Sequence, residues 1–308
     1  MHNHAVWMEH PERGSVLLMR VLVRIALHAG RRVTRILLFP ICLYFFLFSP
    51  SALKAVRTYL TRAKNHRPNA FDLFHHLFVF ATTQLDRVYF LNGQSDLFDI
   101  RVHGEKELVD LLGLGQGCFL MGAHLGSFEV LRIRGFQQSG IHVSTLMFKE
   151  HAHKINSLLH MINPEAPYEI IPSGRIDSMF KVHEQVDRGG CIGILADRSL
   201  NENATRRLSF LEAPADFPLG PFRLATMLGR PMVFMVGLFR GGNRYDIYFE
   251  RISCTKKNTS KDMAEQALVD YVQRLEHYCR LAPYNWFNFY EFWAHDNTCV
   301  KGDAARIH

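Results

Sequence analysis

One histidine in the chain stands where a general base is expected. His124 follows an apolar run that begins at Cys118 and reads as a buried strand, and Glu129 lies five residues further on. In one continuous helix these two side chains would point about 140° apart. They can meet if His124 lies in a loop and Ser127 caps a helix that begins near Phe128. An imidazole beside a carboxylate suits general-base catalysis.

The spacing alone has little specificity. A histidine with an acid five residues later also occurs at His4 and His160. His4 lies in a polar N-terminal segment, and the segment of His160 runs into Asn163-Pro164. Only His124 follows a strand-like run and precedes a glycine and a serine suited to capping. On the local sequence, a strand–turn–helix with a solvated histidine remains an equal alternative.

Strand-like and helical segments alternate after residue 70. This alternation predicts an α/β fold with a mainly parallel central sheet covered by helices on both faces. Ligands bind beyond the carboxyl ends of strands in such sheets. Lys149 follows the predicted strand 142–148, and Asp197 and Arg198 follow the predicted strand 191–196. These three residues are therefore candidates for substrate binding, with a surface pair between Asp197 and Arg198 as the alternative.

A Pro/Gly-rich loop at 213–225 is predicted to lead into a helix near Phe222. The N-terminus of this helix, with Gly220 before it, could face a phosphate or an oxyanion. Arg206 lies in the polar segment before the loop and could hold an anion through bidentate contacts. A structural turn, and a solvated pair of Arg206 with Arg207, are the alternatives.

Positive charge is concentrated in the N-terminal part of the chain. The formal net charge is +7, yet residues 1–70 hold eleven Lys/Arg against two Asp/Glu, and the remainder holds 25 against 27. A body without excess positive charge argues against nucleic-acid binding. A basic end instead favours contact with an anionic membrane surface.

The same N-terminal part carries a membrane-like pattern. Residues 36–53 contain no charge, although Pro40 and Pro50 disfavour a straight span. We expect 1–70 to be an anchor on the cytoplasmic leaflet and 71–308 to be the α/β domain; a buried hairpin is the alternative for the anchor. A stripe of basic residues precedes the apolar run, and we expect this stripe to face lipid. It comprises Arg20, Arg24, His28, Arg31 and Arg35.

Cysteine and histidine patterns indicate no metal. The six cysteines have no paired spacing, and the 17 histidines form no ligand motif. We therefore expect reduced core thiols, no disulfide framework and no metal site.

Five segments carry recognisable motifs: GAHLGSFE (122–129), LADRSL (195–200), FPLGPFRLA (217–225), RPMVFMVG (230–237) and PYNWFNFYEFW (283–293). Together they resemble a known family, the lysophospholipid acyltransferase-like superfamily, in its lipid A biosynthesis (lauroyl/myristoyl) acyltransferase branch. The basic and apolar N-terminus is similar as well, so the resemblance covers roughly residues 15–295. The N-terminal sequence resembles that of acyltransferases linked to aryl polyenes or other specialised bacterial glycolipids more than that of the lipid A enzymes themselves.

The resemblance implies an activity and its partners. His124 would be the general base and Glu129 the acid that orients it. The donor would be an acyl-carrier protein or acyl-CoA, each bearing phosphopantetheine as part of the substrate, with no resident cofactor. The acceptor would be a hydroxyl of a membrane lipid or glycolipid at the cytoplasmic face of a bacterial inner membrane.

Three other functions stay open on the sequence. An amine acceptor would make the chain an N-acyltransferase on an amino-lipid headgroup. Water as the acceptor would make it a thioesterase-like hydrolase. A non-catalytic membrane scaffold could keep the fold without the reaction.

Overall fold

The central feature of the computed structural model is a mixed sheet of seven strands. The structure describes residues 16–113, 115–130, 143–148, 169–174, 176–198, 204–253 and 260–293 of the chain. The strands are β1 (Asp99–His103), β2 (Cys118–Gly122), β3 (Val143–Phe148), β4 (Glu169–Ser173), β5 (Cys191–Leu195), β8 (Met232–Phe239) and β9 (Arg244–Arg251), with β6 (Thr205–Phe210) and β7 (Ala213–Pro218) forming a separate pair.

The strand order is β1-β9-β8-β2-β5-β3-β4, and every neighbouring pair is parallel except β8 with β9. The predicted mainly parallel α/β sheet is therefore confirmed. The antiparallel pair follows from the short connection 240–243, which is too short for the crossover that a parallel pair needs.

Helices cover both faces of the sheet. Alternate residues of β2 enter two different hydrophobic clusters: Phe119 and Met121 belong to one, Leu120 to the other. This alternation is the two-residue period of a strand buried on both sides. The helices of the described residues are α1 (Val16–Phe48), α2 (Pro50–Lys64), α3 (Ala70–Leu91), α4 (Glu105–Gly113), α5 (Ile176–Asp187), α6 (Gly220–Met227) and α7 (Ser260–Leu281).

The N-terminal helices pack on the body of the protein. α1 breaks at Gly30 (φ 78°, ψ 164°), and its next turns lie against α3. The expectation that the whole basic stripe faces lipid is wrong at Arg31. Its guanidinium makes two hydrogen bonds, of 2.6 and 2.8 Å, to the buried carboxylate of Asp86, and Arg31 and Arg35 both donate to the Gly242 carbonyl.

The apolar run does not form one straight span. Among the described residues, no single helix is both long and apolar enough to cross a membrane. The helical stretches Val23–Phe48 and Pro50–Lys64 meet that test only together, as a pair bent by 95°. Pro50 begins α2, where its missing N–H costs no helical hydrogen bond.

The Pro/Gly-rich segment was expected to be a loop, and this prediction is wrong for its first half. β6 and β7 form an antiparallel hairpin in which Arg206 lies opposite Phe217. Leu211 and Glu212 make the turn with positive φ angles of 51° and 63°. These are not the Gly, Asn or Asp residues that signal such a turn, so the sequence pattern hides it.

Candidate active site

Two adjacent parallel strands place His124 beside Asp197. In the pairing of β2 with β5, Gly122 lies opposite Leu195. His124 and Asp197 each come two residues after that last pair, so the register brings them side by side. His124 Nδ1 lies 2.8 Å from Asp197 Oδ1. The candidate site is therefore at the carboxyl edge of the sheet, where the sequence predicted it.

Asp197 is fully buried and held by several donors. One carboxylate oxygen meets the His124 ring. The other accepts the backbone N–H of His124 at 3.1 Å and the indole N–H of Trp286 at 3.1 Å. A buried carboxylate bonded from three directions has a fixed orientation, and it fixes the imidazole in turn.

The electrostatics keep this carboxylate ionised. Burial alone raises the pKa of Asp197, but the positive charge that His124 carries when protonated, its hydrogen bonds and the nearby Arg198 charge outweigh burial and hold the pKa well below the usual range of an aspartate. An ionised Asp197 requires a proton on His124 Nδ1. The lone pair of a neutral imidazole then resides on Nε2. The His124 side chain is 33% exposed, so a substrate can approach it.

The turn that follows β2 is anchored on both sides. The N–H of Gly126 donates to the Asn285 carbonyl, the N–H of Ser127 donates to the Gly237 carbonyl, and the N–H of Phe287 donates to the His124 carbonyl. Gly126 has φ +72°, and a Cβ there would lie 2.0 Å from the Gly237 oxygen. Only glycine fits this position. The backbone that carries His124 is thus rigid before any substrate binds.

Arg198 lies at the same edge. Its Nη2 donates to the Phe287 carbonyl at 2.7 Å, and its guanidinium lies 5.4 Å from the centre of the Tyr290 ring. Its buried Nε has no hydrogen-bond partner among the described residues. Asp197 and Arg198 therefore do not form the surface pair that was the alternative, because Asp197 turns inward to His124.

Glu129 has a different partner from the one expected. Its Oε1 lies 2.7 Å from the Nε of Arg87 on α3, and both side chains are largely buried. The carboxylate that contacts His124 Nδ1 is that of Asp197. A helical segment does begin at Phe128, but the buried hydroxyl of Ser127 makes no hydrogen bond to any described residue, so the expected serine cap is not seen.

The remaining predicted residues lie at other places. Arg206 is exposed on β6 and pairs with Glu265 of α7, its Nε and Nη2 lying 3.0 and 2.8 Å from one carboxylate oxygen. Gly220 is the exposed first residue of α6. Lys149 lies outside the described residues. The structure therefore unites His124 and Asp197 and leaves Arg206 in a surface ion pair.

The sequence interpretation missed Trp286, Phe287 and Arg87. The first two belong to the aromatic segment 283–293, which begins with the 3-10 turn Pro283–Asn285. The Asn285 side chain fixes that turn to β8, because its amide bonds both the N–H and the carbonyl of Phe239. This segment is one of the motifs of the family resemblance, but its dense aromatic composition by itself indicates only a buried core. No short-range signal links it to the histidine.

The arrangement offers one chemical capability directly: a neutral imidazole with Nδ1 fixed can accept a proton at Nε2. No cluster of three or more His, Cys, Asp or Glu side chains in the described ranges could hold a metal ion.

Comparison with protein-family models gives no match to this chain. Comparison with curated proteins gives no significant match. The acyltransferase resemblance therefore stays a prediction from its motifs, and the argument for function rests on the geometry of His124 and Asp197.

Proposed function

We propose that the protein is an acyltransferase that moves an acyl chain from a phosphopantetheine-linked thioester to a hydroxyl of a lipid or glycolipid. The observation that carries the proposal is the hydrogen bond between His124 Nδ1 and the buried Asp197. A histidine oriented by a buried carboxylate is the general base of many acyl transfers.

The proposed reaction needs no covalent enzyme intermediate. Nε2 of His124 takes the proton of the acceptor hydroxyl as its oxygen attacks the thioester carbonyl. The tetrahedral intermediate collapses, the carbon–sulfur bond breaks, and the thiolate takes the proton from the imidazolium. Asp197 stabilises the transient positive charge. Each catalytic cycle returns His124 to its starting form.

Arg198 is our candidate for holding the negative charge of the substrate or of the tetrahedral intermediate. Its guanidinium is fixed by the Phe287 carbonyl and by the Tyr290 ring. A fixed cation costs little reorganisation when negative charge develops nearby. The donor would be an acyl-carrier protein or acyl-CoA, since each carries phosphopantetheine.

The surface of α1 supports a membrane location for this reaction. Large apolar side chains on its outer face are exposed in the described part of the structure, and contiguous apolar surfaces of this kind mark interaction sites. The exposed cations Lys54 and Arg57 follow on α2. We propose that this face, with α2 bent away from it, lies in the cytoplasmic leaflet of a bacterial inner membrane. The outer face of α1 comprises Val33, Ile36, Leu37, Phe39, Leu43, Tyr44, Phe45, Leu47 and Phe48.

Vesicle flotation tests the membrane part. The double variant Phe39→Glu/Leu43→Glu should lose most of its binding to anionic vesicles. Val109→Glu changes an equally exposed apolar residue on α4 and should bind like the wild type. Equal flotation of the double variant and the wild type would exclude this face as the contact.

A donor scan tests the chemistry. Purified protein is incubated with bacterial membrane lipid and either acyl-carrier-protein or acyl-CoA thioesters carrying a labelled acyl chain. Label in a lipid ester supports the proposal and identifies the acceptor. Label in an amide would indicate N-acylation. Release of free acid at the same rate with and without lipid would indicate a thioesterase and contradict the proposal.

A further inference from the structure

Two arginines of α1 share one acid. Arg31 and Arg35 lie about one helical turn apart, so their side chains leave the same side of the helix. Arg31 makes hydrogen bonds of 2.6 and 2.8 Å to the two oxygens of Asp86, which also accepts the hydroxyl of Tyr245 at 2.7 Å. Both arginines donate to the Gly242 carbonyl, at 2.8 and 3.2 Å. One carboxylate charge therefore stands against two cations.

Arg35 is the cation without an acid of its own. Its guanidinium lies 5.6 Å from the centre of the Phe78 ring and 5.8 Å from that of Phe239, and it forms no ion pair with any described carboxylate. Burial, followed by the charge of Arg31, lowers the pKa of Arg35, although the Asp86 charge acts in the opposite direction. A half-buried cation with this surplus of positive charge around it suits an anionic ligand.

The guanidinium has the free donors that a phosphate needs. Within the described structure only Nη1 of Arg35 donates a hydrogen bond, to the Gly242 carbonyl. Nε and Nη2 are therefore available to two oxygens of one anion. Guanidinium groups bind phosphate through two parallel hydrogen bonds of this kind.

The surroundings of Arg35 favour a lipid as the source of that phosphate. The helix around and beyond it exposes apolar side chains, of which Ile36 is 72% and Phe39 is 56% exposed. An arginine at the edge of an apolar face keeps its stem against apolar groups while its charged end reaches the headgroup level of a membrane. A lipid bound there would place its chains on apolar residues and its phosphate on the guanidinium.

Contacts connect this position to the turn that carries His124. Phe239 ends β8, and its N–H and carbonyl are both bonded by the side chain of Asn285. The Asn285 carbonyl accepts the N–H of Gly126, two residues after His124. Because β8 and β2 are parallel neighbours, their carboxyl ends lie at the same edge of the sheet. A lipid held at Arg35 would therefore lie at the edge where the candidate base is found.

We propose that Arg35 binds the phosphate of an anionic membrane lipid whose acyl chains lie along the exposed apolar residues of α1. The proposal rests on the membrane location proposed above for the outer face of α1. The binding is nevertheless measurable with a soluble short-chain lipid, and so without a membrane or an acyl donor. Free phosphate offers the same chemistry to the guanidinium, and the test separates the two ligands.

Isothermal titration calorimetry of the full-length protein tests the inference with three probes. Dihexanoyl phosphatidic acid has both parts of the proposed ligand, inorganic phosphate lacks the chains, and dihexanoylglycerol lacks the phosphate. Phosphatidic acid should bind more tightly than either of the other two. Arg35→Gln should weaken the binding of phosphatidic acid by about tenfold, because the charge-assisted hydrogen bonds to the phosphate are lost.

Two further variants separate a specific site from general attraction. Arg32→Gln removes the same charge from the same helix at an exposed side chain that forms no ion pair with the described residues, and it should bind phosphatidic acid like the wild type. Arg35→Lys keeps the charge but loses the planar pair of donors, and should weaken binding by about threefold. If circular dichroism shows that Arg35→Gln does not fold, Arg35→Lys decides the question.

The outcomes are distinct. Weaker binding of phosphatidic acid in the Arg35 variants, with no change in Arg32→Gln, supports the proposal. Equal losses at both positions would indicate general attraction to a basic helix and overturn it. Inorganic phosphate binding as tightly as phosphatidic acid, or no binding of phosphatidic acid to the wild type, would overturn the lipid assignment. Failure of the membrane proposal would show in vesicle flotation, which this calorimetry does not use.

Discussion

Replacing Asp197 by asparagine removes one charge from the site with almost no change in shape. The carboxylate accepts three hydrogen bonds: from the His124 ring at 2.8 Å, and from the His124 backbone and the Trp286 indole at 3.1 Å each. An amide has one oxygen, and it would satisfy the two donors that share Oδ2. Its NH₂ group would then face His124 Nδ1 and demand a lone pair there. The ring would carry its proton on Nε2, the atom that must accept one.

This change of tautomer should be severe. Loss of the buried acid behind a catalytic histidine costs about 10³- to 10⁴-fold in turnover, or roughly 4 to 5.5 kcal/mol of transition-state stabilisation. We therefore expect Asp197→Asn to lower single-turnover acyl transfer by about three to four decades. Trp286→Phe removes one of the three donors and should cost only about tenfold.

The assay compares initial rates of labelled acyl transfer to lipid, with circular dichroism to confirm folding. Asp216→Asn is the matched control, because Asp216 forms an ion pair with Arg207 on the β6–β7 hairpin and is not one of the groups hydrogen-bonded to Asp197. It should keep the wild-type rate. A folded Asp197→Asn protein that transfers acyl chains within tenfold of the wild type would refute the reasoning.

Two stability predictions follow from the same fold. Gly126→Ala places a methyl group against the facing β8 carbonyl at positive φ, and should lower the free energy of unfolding in denaturant by at least about 2 kcal/mol. The control is Gly93→Ala, which shares the positive φ but places its methyl group in open space. An equal loss of stability in both variants would contradict the close contact at Gly126. Burial, with the charge of His75 second, lowers the pKa of His76 to about 3, so the unfolded chain binds its proton first as the pH falls below about 6.5. The free energy of unfolding of the wild type should therefore fall by about 2 kcal/mol between pH 7.5 and pH 5 because of His76. His76→Leu should lack this part of the decrease. The same dependence of stability on pH in the wild type and in His76→Leu would contradict a buried neutral ring.

The sequence predicted the fold well because apolar periodicity carries the signal. The strand β2 begins at Cys118 as expected, and β3 (Val143–Phe148) and β5 (Cys191–Leu195) each lie within one residue of the predicted strands 142–148 and 191–196. The β6–β7 hairpin was missed because its turn uses residues with no preference for positive φ. The expected contact of Arg31 with lipid is wrong for a different reason: the spacing of cations along a helix does not show which of them pairs with a buried carboxylate.

The site was predicted in part. His124 and Asp197 were both placed at strand ends, but their contact depends on β2 and β5 being neighbours in register, which is a non-local property. The short separation in sequence instead favoured Glu129 as the partner of His124, but the Glu129 carboxylate pairs with Arg87 of α3. Residues that are distant in sequence, such as Trp286, reach the site only through packing.

The central claim is that His124 is the base of an acyl transfer, and one comparison tests it directly. Labelled acyl-carrier protein is mixed with lipid and wild type, His124→Gln or His183→Gln. His183 is the control because it also forms a histidine–aspartate pair, with Asp187 at 2.8 Å, but on the exposed face of α5. We expect wild type and His183→Gln to transfer label to lipid, and His124→Gln to fall by about two to four decades. Transfer by a folded His124→Gln protein at the wild-type rate would contradict the account.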